Sequence, residues 1–151
     1  MEQAKKHLKT MSIVVLILAG LSLINILFAL FFGELNEELQ NASIPEGAPE
    51  NVGQIAQIFI LVVALLLLLP HLYIGIKGIK IAKKPNSSVG HIVWGVILIA
   101  FTALALVSPI LGLVQGGDEV FANISALCSI VVDLMVLFDY VKYAIAVRKK
   151  I

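Results

Sequence analysis

The order of apolar and polar positions divides the chain into four long oily blocks. Residues 10–33, 51–76 and 85–117 contain no Asp, Glu, Lys or Arg. A fourth block, 120–147, is interrupted only by Asp133, Asp139 and Lys142. A hydrocarbon layer about 30 Å thick is crossed by about 20 predominantly apolar residues in helical form, and each block reaches that length. Strands of a transmembrane barrel would instead show segments of about 10 residues with alternating polarity; these blocks are solid. The pattern predicts an all-α, polytopic membrane protein. It is an antiparallel bundle of four transmembrane helices near 11–33, 53–76, 88–114 and 119–147, forming a single integral membrane domain over 1–151.

The segments between the blocks carry helix-breaking and helix-starting residues. "ELNEELQNASIPEGAPEN", 34–51, contains Pro45, Gly47 and Pro49, which resist a continuous helix. The second helix is expected to run on as an amphipathic turn through "KGIKIAKK" until Pro85 ends it. Asn86, Ser87 and Ser88 then offer helix-start residues for the third. "QGGDE" is a short turn, which makes helices three and four antiparallel neighbours. Pro109 deprives the third helix of one hydrogen bond, the one that the Ala105 carbonyl would accept, and Pro70 does the same in the second at Leu66. Lipid supplies no hydrophobic drive between helices, so small residues are expected to mark contact faces. Ser22, Asn25, Ala29 and Gly33 form one such stripe, Ser108 and Gly112 a second, and Ala122, Ser125 or Ala126, Ser129 and Asp133 a third.

Composition sharpens the picture. The chain is 60% hydrophobic and 14% charged over 151 residues, against roughly half and a quarter in soluble domains. The net charge of +1 matters less than where the charges sit. All eleven Lys and Arg fall in three places: Lys5, Lys6 and Lys9; Lys77, Lys80, Lys83 and Lys84; and Lys142, Arg148, Lys149 and Lys150. The loop 34–51 holds only acids, as does the turn with Asp118 and Glu119. Basic residues flanking spans stay cytoplasmic. With four crossings all eleven lie inside. With three the split would be seven to four. Both termini are therefore expected in the cytoplasm, with an acidic outer loop at 34–51 and a basic inner loop at 77–87. The first block follows a basic start but exceeds the 7–15 residues of a signal-peptide core and lacks a small-residue cleavage site, so it reads as a retained helix.

Two carboxylates inside the fourth block are the candidate chemistry. A central Asp costs roughly 2.5–3.5 kcal/mol on the insertion scale, and each Leu, Ile, Val or Phe returns about 0.3–0.6. The twelve such residues from Val120 to Val141 return roughly 4–7 kcal/mol, enough for one deep carboxylate but not comfortably for two. At about 1.5 Å per residue, Asp139 reaches the inner edge. There Lys142 and Tyr143 lie within same-face reach, and Asp139 with Lys142 reads as an interfacial pair. Asp133 lies about two-thirds of the way across. Intramembrane ionisable groups are functional candidates with a partner to be named. His71, Trp94 and Ser129 fall at compatible depths, giving either a proton- or cation-binding site or a buried polar pair that fixes packing.

Lys77, Lys80, Lys83 and Lys84 read as contacts for the headgroups of anionic lipids, which attract juxtamembrane cations at about 1 kcal/mol each. The histidines and the single Cys128 show no metal-ligand spacing, and no nucleotide loop, nucleophile elbow or zinc-protease motif occurs. No cofactor and no nucleic-acid partner is expected, and catalysis is the least supported class. Two functions are in view. One is an accessory, scaffold or interaction subunit of a cytoplasmic membrane, with itself or another membrane protein as partner; the style of the sequence points to a bacterial one. The other is a small oligomeric transporter or channel that uses Asp133.

Overall fold

The computed structural model describes residues 2–32, 52–86, 88–115 and 120–149, and among these there is no strand. The elements are α1 (Glu2–Phe32), α2 (Val52–Lys83), α3 (Gly90–Ala105), α4 (Val107–Gln115) and α5 (Val120–Arg148). Four helical stretches, Glu2–Phe28, Leu61–Lys83, Gly90–Gln115 and Val120–Arg148, are long and apolar enough to cross a membrane. At most 24% of the most apolar part of any of them is buried inside the protein. The acidic loop 34–51 and the turn 116–119 lie outside the described residues.

Three boundaries differ from the sequence expectation, each for a local reason. Helix α1 begins at Glu2 rather than near residue 11. Nothing in its first ten residues breaks a helix, and Leu8 is fully buried within that polar start. Helix α2 runs on to Lys83, as expected of the segment before Pro85, and Ile81 and Ala82 continue its buried face beyond the oily block. The third span is broken at Leu106 into α3 and α4. The amide of Leu106 bonds the Ala103 carbonyl at 3.2 Å, a tightened turn. Pro109, three residues on, has no N–H for the Ala105 carbonyl and its ring crowds that group. The start of α3 also shifts. Val89 is its N-cap and makes no side-chain capping bond, while Asn86 Oδ1 accepts the Ser88 N–H at 3.1 Å in a turn further upstream.

The chain divides into two units, Met1–Ile17 with Pro70–Ile151, and Leu18–Leu69. In the smaller unit the described side chains are mostly large, apolar and exposed, among them Leu21, Ile24, Phe28, Ile58 and Phe59. The larger unit contains a packed core at the ends of the helices that carry the basic residues. Four buried stripes meet there. Leu8, Ser12 and Val15 come from α1; Ile74, Gly75, Gly78, Ile81 and Ala82 from α2; His91, Ile92, Gly95 and Leu98 from α3; Leu137, Tyr140, Val141, Ala144 and Val147 from α5. The spacings of three, four and seven are those of one helix face. Helix α5 packs along both α3 and α4.

Candidate functional site

The basic end of the larger unit is held by side chains in close contact. Tyr140 is fully buried, and its hydroxyl donates to the Ile74 carbonyl at 2.9 Å, tying α5 to α2. Ser12 is also fully buried and donates to the Leu8 carbonyl one turn back at 2.7 Å. Opposite both stands Gly78: a Cβ there would collide with Ser12 Oγ and lie 2.7 Å from Tyr140 Cε2. Gly75 faces Leu16 in the same way, and Gly95 faces Val141, each at 2.6–2.7 Å from an added Cβ. Such close backbone approach is how helices in lipid gain contact without a hydrophobic drive. His7 stacks on Tyr143 with centroids 4.8 Å apart, joining the start of α1 to α5.

His91 is the polar outlier of this core. It is 1% exposed, meets Tyr140 edge to face at 6.3 Å, and neither ring nitrogen has a hydrogen-bond partner among the described residues. An unsatisfied buried polar group costs about 1–3 kcal/mol. Sequence reasoning passed over His91, Tyr140 and Ser12. The only signal available was the spacing of Gly75 and Gly78 next to the lysines.

The residues singled out from sequence are distributed as follows. Asp133 lies on α5, partly exposed, with His71 of α2 within electrostatic reach. Trp94 on α3 is 43% exposed and Ser129 on α5 is exposed. No hydrogen bond joins either of them to Asp133 among the described residues, and of the three candidates only His71 is within electrostatic reach of it. Asp139 is partly exposed and makes no ion pair with Lys142 among the described residues. The Lys142 ammonium instead lies 5.6 Å from the centroid of the Tyr143 ring. Of the small residues expected on contact faces, Ser22, Asn25, Ser108, Ala122, Ser125 and Ser129 are exposed, Gly112 is half-buried with an added Cβ falling 2.6 Å from Asn123 Nδ2 of α5, and Ala29 and Gly33 lie outside the described side chains. Close packing also occurs at Gly75, Gly78 and Gly95 near the basic end.

Two open grooves lie at that end. One, of about 390 Å³, is lined by Lys77, Lys80, Ile81, Lys84, Pro85 and Asn86. The other, of about 490 Å³, is lined by Ile92, Ile145, Arg148 and Lys149. Asp133 lines neither, and Lys83 is exposed but outside the first. Among the described residues no group of His, Cys, Asp and Glu stands together as metal ligands. Comparison with protein-family models, curated proteins and solved structures gives no match to this chain.

Proposed function

We propose that the chain is a multi-pass protein of a bacterial cytoplasmic membrane, with four crossings and both termini inside, serving as an accessory, scaffold or interaction subunit. The observation that carries the membrane reading is the apolar side chains left uncovered on long helices, with Phe121 85% and Val114 78% exposed. A soluble monomer keeps contiguous apolar patches to a few hundred Å². The orientation rests on the placement of all eleven cations at one set of helix ends. Partners in this reading are anionic lipids at the basic end and a second membrane protein or another copy along the helix faces. It assigns the chain no catalytic chemistry.

The orientation is tested by cysteine labelling in a Cys128→Ser background. A Lys149→Cys variant should react with a membrane-impermeant maleimide only after permeabilisation, and a Glu46→Cys variant in intact cells. Labelling of residue 149 from outside intact cells overturns the orientation.

A second reading has one observation in its favour, the placement of His71 within electrostatic reach of Asp133. In that reading the two groups carry protons or cations, and conduction runs between copies. Purified protein in vesicles, assayed for proton and alkali-cation flux, separates the two. Absence of flux above empty vesicles supports the subunit reading. Flux that disappears in Asp133→Asn, while the variant keeps its thermal unfolding midpoint, overturns it in favour of transport.

A further inference from the structure

We infer that the groove formed by Lys77, Lys80, Lys84, Ile81, Pro85 and Asn86 is a discrete site for the phosphodiester headgroup of one anionic phospholipid. The inference deepens the proposed function and rests on its placement of this end at a membrane surface. A general attraction between basic residues and anionic lipid would involve all four lysines of 77–84 alike. The groove selects three. Positions 77, 80 and 84 are spaced three and seven apart and share one side of the helix, whereas Lys83 lines no part of the groove.

The end of α2 holds these groups in place. The Lys84 N–H closes the last turn on the Lys80 carbonyl at 2.9 Å, after which Pro85 cannot continue the helix. Asn86 Oδ1 is taken by the Ser88 N–H, which fixes the side chain and leaves its Nδ2 as a donor. Ile81, 2% exposed, forms the floor. Three lysines and one asparagine thus line the groove, their flexible side chains able to bring ammonium and amide donors to a bound anion, and no carboxylate lines it. The carboxyl end of a helix carries about half a negative charge, which three full positive charges outweigh.

A lipid, rather than a free anion, is indicated by what adjoins the groove on the same helix. Leu72, Tyr73 and Ile76, the next turns of α2 toward its apolar part, are 40–50% exposed. A headgroup seated among the lysines places its acyl chains along that surface. Lys is a strong but undirected phosphate binder, so the site is expected to favour anionic over zwitterionic headgroups more than one anionic headgroup over another.

The test is native mass spectrometry of the purified protein in detergent, titrated with phosphatidylglycerol and phosphatidylcholine, with glycerophosphoglycerol and inorganic phosphate as soluble competitors. One phosphatidylglycerol per chain should be retained in preference to phosphatidylcholine. Lys77→Gln, Lys80→Gln and Lys84→Gln should each weaken retention by about fivefold, and Lys83→Gln should leave it within about twofold. The soluble competitors should not displace the lipid at equal concentration. Equal loss in all four variants, no preference for the anionic lipid, or displacement by inorganic phosphate each overturns the site. Detergent micelles have no inside or outside, so an error in orientation leaves this assay untouched and shows only in the labelling experiment.

Discussion

Gly78→Ala is a sensitive probe of the packing at the basic end. In an unhindered helix interior, Ala is favoured over Gly by about 0.8–1.0 kcal/mol. At Gly78 the new methyl would collide with Ser12 Oγ and stand 2.7 Å from Tyr140 Cε2 and 3.1 Å from its hydroxyl oxygen. Neither neighbour yields freely. Ser12 is fully buried and bonded to the Leu8 carbonyl, and Tyr140 is fully buried and bonded to the Ile74 carbonyl. Forcing an extra methyl into a packed interior costs about 1–3 kcal/mol. Set against the propensity gain, the net effect is a loss of up to about 2 kcal/mol. Gly20, with nothing within 4 Å of an added Cβ, is the internal control, and its Ala variant should be neutral or stabilised by up to about 1 kcal/mol. Ser12→Ala removes the atom that collides, so Gly78→Ala should cost less in that background, and the cycle should report a coupling of about 0.5–3 kcal/mol. Thermal unfolding in detergent, followed by Trp94 fluorescence, gives the midpoints. A Gly78→Ala midpoint that rises as far as that of Gly20→Ala would refute the argument that Ser12, Gly78 and Tyr140 are in contact.

Tyr140→Phe deletes only the hydroxyl that reaches the Ile74 carbonyl and should lower stability by about 0.6–1.5 kcal/mol in the same assay; Tyr143→Phe, whose ring still stacks on His7, should change it by less than half as much. His91→Leu removes two buried nitrogens that have no partner among the described residues and should raise the unfolding midpoint; a fall of more than about 1 kcal/mol would mean that the ring holds a bonded partner such as a water. Pro109→Ala restores an amide for the Ala105 carbonyl and should join α3 to α4, read as slowed hydrogen exchange from Leu106 to Ile110; unchanged exchange would separate the break at Leu106 from the proline.

Much of the architecture was legible because it depends on hydropathy and length alone. Four helices long enough to span follow from four apolar blocks, and the break in the third was foreshadowed by Pro109. The contact faces were harder to read. Within the membrane-length blocks nearly every residue is apolar, so exposed and protein-facing positions carry the same chemistry. Small residues were the remaining sign, and they are ambiguous: Ser125 and Ser129 look as suitable for packing as Gly78 and Gly95, yet only the glycines are buried against other helices. His91 was overlooked for a related reason. One histidine two residues into a helix resembles an interfacial group, and its burial depends on Tyr140, some fifty positions later in the chain.

The stretch 74–84 shows where such a reading becomes reliable. In "IGIKGIKIAKK" the inward positions are Ile74, Gly75, Gly78, Ile81 and Ala82, all buried, while Lys77, Lys80, Lys83 and Lys84 alternate with them. Fifteen residues earlier the same helix is a run of leucines and valines with no polar side. In the proposed membrane setting the difference is the medium. Where a helix enters water, its outward face must become polar to be solvated, and the apolar residues that remain are those a protein neighbour covers. Where it is surrounded by hydrocarbon, that contrast has no cause to exist. The four buried stripes of the larger unit follow this rule: each lies at the end of its helix that carries Lys or Arg, or adjoins that end. The same residues that make this end basic thus make its packing readable, and the groove between Lys77 and Asn86 lies at that transition.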